Sequence, residues 1–169
     1  MSGDLEISRS GSSAWTLETS VWLPGPVGEV FPFFADAANL DAITPSWLGF
    51  RILTPLPVEM RRGLMLDYRI RIHGVPVSWR TEITEWDPPR GFVDEQRRGP
   101  YRSWVHRHVF REQDGGTLVL DRVDYRVRGG ALGHRLFVRR DVEAIFRHRR
   151  QVLLALFAER GGQRRRPAP

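Results

Sequence analysis

A change of period at Gly129-Gly130 limits the folds open to this chain more than any other feature. Upstream, apolar residues recur at alternate positions in runs near Phe50 to Thr54, Leu64 to His73, Val75 to Trp86, Phe92 to Arg98, Ser103 to Arg111 and Thr117 to Val127. Alternation at period two is the signature of half-buried strands, and Gly74, Pro88-Pro89, Gly99-Pro100 and Gly115-Gly116 break the runs. The breaks are short, so successive strands should lie side by side and antiparallel. Downstream, Val138, Val142, Ile145, Phe146, Leu153, Leu156 and Phe157 recur at 3.6 residues, which predicts one long helix ending near Gly161-Gly162.

Ahead of these runs, Trp15, Leu17, Thr19, Val21 and Leu23 predict a first strand, stopped by Pro24-Gly25-Pro26. Two short helices follow, over Val27 to about Ala35 and over Ala37 to Ile43, before Thr44-Pro45. The expected architecture is α+β: a curved seven-stranded antiparallel sheet wrapped around the C-terminal helix. The expected organisation is a flexible N-terminus over 1–14, one domain over 15–160 and a disordered Arg/Pro tail over 161–169. A length of 169 residues and an apolar fraction of 41% suit one domain with a real core. Between a curved sheet and the helix it grips, a concave and mainly apolar pocket is expected.

All 26 basic residues are arginine. Residues 134–169 hold ten of them against Asp141, Glu143 and Glu159, a local balance of +7, so the basic excess is C-terminal. A helix C-terminus rich in arginine complements the helix dipole and is usually solvated, so no nucleic-acid partner is expected. There is no cysteine, which removes disulfides, thiolate ligands and cysteine nucleophiles. Residues 1–10 lack a basic start followed by an apolar run, and no stretch reaches 18 consecutive apolar residues. A cytoplasmic protein without stable membrane insertion, monomeric or weakly dimeric, is the expectation.

Side chains two apart on a strand point the same way, so Trp104, His106, His108 and Phe110 share a face. The opposite face carries Arg107 and Arg111, which places the histidine face inside. The same rule groups Phe92, Asp94 and Gln96; Leu66, Tyr68 and Ile70; and Val77, Trp79, Thr81 and Ile83. On the last strand it turns Asp121 and Tyr125 inward, although Leu118 and Leu120 leave the reverse register open. Helical spacing sets Arg149 within the apolar stripe, where a guanidinium needs an anion such as Asp94, Asp121 or Glu59, or must reach past the stripe to water.

The run Phe92-x-Asp94-x-Gln96-x-x-Gly99-Pro100-Tyr101-x-x-Trp104-x-His106-x-His108-x-Phe110, with Gly116-Thr117 and Asp121-x-Val123-x-Tyr125, resembles stand-alone bacterial members of the SRPBCC superfamily. START-type lipid-binding domains, the major birch pollen allergen group and polyketide cyclases or dehydratases are relatives. The resemblance spans roughly Trp15 to Ala158 and implies a helix-grip fold, but no single activity. Gly129-Gly130-x-x-Gly133 lacks the spacing of a dinucleotide fingerprint, and an epimerase activity is not supported.

The favoured function is binding of a small hydrophobic or amphipathic molecule between sheet and helix. Tyr68, Trp79, Thr81, Asp94, Gln96, Trp104, His106, His108, Asp121, Tyr125 and Arg149 are the expected contacts. The alternative enzyme is a cyclase or dehydratase, a lyase, with His106 or His108 as acid or base and Asp94 orienting it. Tyr68 or Tyr125 would donate to the developing enolate. A third alternative is a non-catalytic interaction module with a filled core. His-x-His on a strand can chelate a metal with Asp94, Asp121 or Glu59, but no third ligand stands at a diagnostic spacing, so neither metal nor cofactor is expected.

Overall fold

The computed structural model describes residues 5–164, with side chains described to residue 159. Eight strands form one antiparallel sheet: β1 (Glu6–Arg9), β2 (Ala14–Pro24), β3 (Arg51–Ile52), β4 (Met65–Ile72), β5 (Val75–Asp87), β6 (Gly91–Arg98), β7 (Ser103–Gln113) and β8 (Gly116–Arg126). Their spatial order is β1-β2-β8-β7-β6-β5-β4-β3, so only β2 and β8 are joined out of sequence. Between β2 and β3 lie α1 (Val27–Phe34) and α2 (Leu40–Ile43), flanked by single 3-10 turns at Ala37–Asn39 and Ser46–Leu48. After β8 come a helical turn, α3 (Gly130–Gly133), a π-helical turn over His134–Val138 and the long helix α4 (Arg139–Arg164). The sheet wraps α4, which is the helix-grip arrangement.

Three details differ from the expectation. The sheet has eight strands rather than seven, because residues 6–9, expected to be flexible, pair with β2 in the register Glu6↔Glu18 to Arg9↔Trp15. Leu5 and Ile7 pack on the core there, and two apolar residues are too few to register as a period. The third strand shrinks from 50–54 to Arg51–Ile52, since the Leu53 and Thr54 amides both donate to the Asp67 carbonyl and so break the ladder's alternation. Helix α4 passes through Gly161-Gly162 to Arg164; glycine in a helix interior costs only about 1 kcal/mol relative to alanine. The rest of the expected tail, 165–169, lies outside the described residues.

The stripe on α4 buries Val142, Phe146, Leu153 and Phe157 against the sheet. Two apolar clusters result: α1 with Phe92, Phe110, Leu153 and Phe157 at one end, and Trp15, Trp79, Trp104, Tyr125, Val142 and Phe146 at the other. No helix among the described residues is long and apolar enough to cross a membrane.

Candidate functional site

A band of polar side chains separates the two apolar clusters. On β7, His106 and His108 stand between Trp104 of one cluster and Phe110 of the other; on β8, Asp121 stands between Val123 and Val119. Helix α4 sets Arg149 between Phe146 and Leu153, and β5 sets Thr81 between Trp79 and Ile83. Strand register brings these levels together: Asp94 pairs with His106 and Phe92 with His108 across β6 and β7, and His108 pairs with Asp121 across β7 and β8. Gly91 on β6 allows this approach, because a β-carbon there would collide with the carbonyl oxygen of His108.

The band is a closed circuit of charges. His106 donates from Nε2 to Asp121 Oδ1 at 2.9 Å, leaving Nδ1 3.7 Å from Asp94 Oδ2. His108 donates from Nε2 to Asp94 Oδ2 at 3.1 Å. Its Nδ1 lies 2.8 Å from Asp121 Oδ1 but off the line of a hydrogen bond, so this contact is one of charge. Thr81 Oγ1 is 3.3 Å from Asp94 Oδ1, and Arg149 Nη2 is 3.8 Å from Asp121 Oδ1. The two imidazoles have centroids 3.8 Å apart, and Phe92 stacks on His108 at 4.2 Å.

Burial acts against every charge in this band, and the neighbours decide where each proton resides. Against its burial, Arg149 and the two histidines hold the Asp121 carboxyl well below the ordinary carboxylate range. Asp94 is likewise lowered, its burial outweighed by His108, His106 and Arg149. Burial and the adjacent His108 push His106 down, whereas Asp121 and Asp94 together overcome burial at His108 and push it up. The pair is therefore asymmetric: His108 holds a proton more readily than His106. Burial and Asp94 push the Tyr68 phenol far up, so it remains a donor.

Beside this band the sheet and α4 enclose a hollow of about 340 Å³. Of the residues expected to contact a ligand, Tyr68, Trp79, Thr81, Asp94, Trp104, His106, His108 and Arg149 line it. Three do not. Asp121 sits behind the histidines. Gln96 donates to Tyr101 O at 2.9 Å and accepts from Tyr101 N at 3.3 Å, so its amide shapes the turn between β6 and β7. Tyr125 is 1% exposed within the apolar cluster, and its Oη is hydrogen-bonded to His134 Nε2 at 2.8 Å. Glu59, offered as a partner for Arg149 or a metal, is exposed and away from the hollow. Sequence reasoning missed Tyr101 as a wall, although it stands in the quoted motif, and missed the mouth residues Trp47 and Phe137.

Residues 23–153 match the model of a family described as polyketide cyclase / dehydrase and lipid transport. No curated protein sequence matches the chain. Among solved structures, protein Ms6760 from Mycobacterium smegmatis is similar with a TM-score of 0.67 at 19% identity, over 92% of this chain and 97% of that one. Ara h 8.0201 is similar at TM-score 0.62 and 16% identity, over 86% of this chain and 99% of that one. The di-domain ARO/CYC protein StfQ of the steffimycin biosynthetic pathway gives 0.68 at 16%, over 89% of this chain and 53% of that one. At such identities the likeness speaks for the fold.

Proposed function

The chain belongs to the polyketide cyclase / dehydrase and lipid transport family, and from that premise we propose that it binds a small hydrophobic or amphipathic molecule between the sheet and α4. The observation that carries this reading is the hollow of about 340 Å³ with aromatic walls and one polar side. Such a volume lies within the range of small-molecule sites, and a few fixed polar groups in an apolar wall orient a ligand rather than merely admit it. Trp79 and Trp104 offer flat faces to a planar ligand, while Thr81, Asp94, His106 and Arg149 meet its polar end. An interaction module with a filled core has no use for this space. The test is titration with 1-anilinonaphthalene-8-sulfonate, read by its fluorescence and by quenching of tryptophan emission, together with native mass spectrometry of protein from its own host. Saturable binding and a co-purified mass support the proposal. Absence of both would overturn it.

A second reading, cyclase or dehydratase chemistry, draws support from the asymmetry of the histidines. With Nε2 committed to Asp121, His106 keeps the lone pair on Nδ1 for a proton beside a substrate carbonyl. The electron pair left on carbon would move to the carbonyl oxygen, and Tyr68 is the neutral donor on the same wall. In this reading His106 is the base and His108 holds the carboxylates in place. His106→Gln then abolishes turnover of a polyketide-like substrate with affinity retained. Equal turnover in His106→Gln and wild type would remove the acid-base role.

A further inference from the structure

The sequence alone predicts no metal, because no third ligand stands at a diagnostic spacing from the His-x-His pair. The fold supplies the third from a neighbouring strand. We propose that Asp94, His106 and His108 form a site for one divalent first-row transition ion, with Asp121 as the outer carboxylate that aims both imidazoles. One donor atom from each of the three residues falls within a 4.8 Å span of the others, and all three line the hollow.

The division of labour among the nitrogens carries the inference. Each imidazole turns one nitrogen to Asp121: His106 Nε2 donates to Oδ1 at 2.9 Å, and His108 Nδ1 lies 2.8 Å from the same oxygen. The other two nitrogens, His106 Nδ1 and His108 Nε2, converge on Asp94 Oδ2 at 3.7 and 3.1 Å. A metal-bound histidine ordinarily gives its second ring N–H to a carboxylate, which fixes the tautomer and raises the basicity of the ligating nitrogen. Asp121 occupies that position for His106 through a hydrogen bond and for His108 through a contact of charge alone. Asp94 in turn has Thr81 on its other oxygen, at 3.3 Å. Two imidazoles and one carboxylate suit zinc, iron(II) or manganese(II) better than calcium or magnesium, which take oxygen sets.

Charge points the same way. Two carboxylates, Asp121 buried and Asp94 partly so, face one guanidinium, which leaves negative charge that a divalent ion would offset. Ligation uses the lone pair of each imidazole, so any proton at those nitrogens leaves on binding. Because the three ligand residues border the hollow, the remaining coordination positions would open toward it, favouring a ligand that presents an oxygen. Occupancy uses the Nδ1 lone pair of His106, so the site is an alternative to that residue's acid-base role. It does not depend on any organic ligand.

The full-length chain, stripped with chelator, is titrated with cobalt(II) while visible absorption is followed, and with zinc while the imidazole 15N resonances of its five histidines are followed. The expected result is one ion per chain, with His106 and His108 shifted and His73, His134 and His148 unmoved. Asp94→Asn abolishes uptake, and Asp121→Asn weakens it by about 10- to 100-fold. His73→Gln, which removes the exposed histidine 2.8 Å from Asp141, leaves uptake intact. The resonances are read on the unaltered protein, so the result stands even where a variant fails to fold. No saturable uptake, or shifts confined to His73, His134 or His148, overturns the proposal. Both are read without dye or organic ligand, so they leave the binding reading to its own test.

Discussion

Replacing Arg149 by leucine removes the guanidinium 3.8 Å from Asp121 and leaves a carboxylate that is 5% exposed without its permanently charged partner. Removing one partner of a buried pair costs about 3–5 kcal/mol. Arg149 makes no directed hydrogen bond to Asp121, so a loss of about 3 kcal/mol is expected in urea denaturation, at the low end of that range. Adding Asp121→Asn to Arg149→Leu should recover part of it, because the stranded charge is gone; additive losses would mean the two residues are not coupled. The histidines make a second prediction. His108 is raised above its ordinary 6.5, so its contribution is complete below that pH and is lost as pH climbs through its folded value. His106 is lowered, so the unfolded chain binds its proton first and stability falls on acidification below 6.5. Asp94 and Asp121, both lowered from 3.8, extend the acid loss further down. The urea midpoint should therefore decline on both sides of neutrality, and His108→Gln should flatten the alkaline limb and make the acid limb shallower, because His108 also lowers His106, Asp94 and Asp121. Alternation was enough to turn His106, His108 and Asp121 inward, since it needs no knowledge of the neighbouring strand. It did not separate lining a hollow from filling a core, which is why Tyr125 and Gln96 were placed at the site.

The elements hold the band together through register, and Gly91 is where register is most exposed to a single change. Alanine there would drive its β-carbon into the His108 carbonyl oxygen, across the pair Phe92↔His108. Overpacking of this kind costs about 1–3 kcal/mol. Beyond the stability loss, Gly91→Ala should shift the His108 imidazole resonances while leaving those of His134 in place; unchanged His108 resonances would mean that β6 and β7 part elsewhere. Sequence alone marks Gly91 only as the close of a Pro88-Pro89 turn. Its tight approach is a property of two strands, invisible in one. The same limit explains β1: residues 6–9 gain their structure from the open edge of β2, not from a pattern of their own. The strands on both sides of the site, by contrast, were legible almost to the residue, because long alternating runs bounded by glycine and proline admit few other readings.

At the scale of the whole molecule, the sheet and α4 do not close completely, and the polar band occupies part of the space between the two apolar clusters. The order of elements and the side-by-side strands can be read from period and punctuation, though not the β2–β8 pairing, and they imply a gap, but its volume depends on how far a curved sheet stands from the helix. That distance is set jointly by residues far apart in the chain, from α1 to α4. Ile145 tests whether the gap is functional. It lines the hollow from α4, half-buried, one helical turn before Arg149. Tryptophan at this position extends into space rather than into packed atoms, so the usual penalty for a larger core residue does not apply. The thermal midpoint of Ile145→Trp should hold or rise. Binding of 1-anilinonaphthalene-8-sulfonate should weaken about tenfold or more, equivalent to about 1.4 kcal/mol. Unchanged dye affinity in a folded Ile145→Trp would place the dye outside the hollow, and the space between sheet and helix would then be a packing defect rather than a binding site.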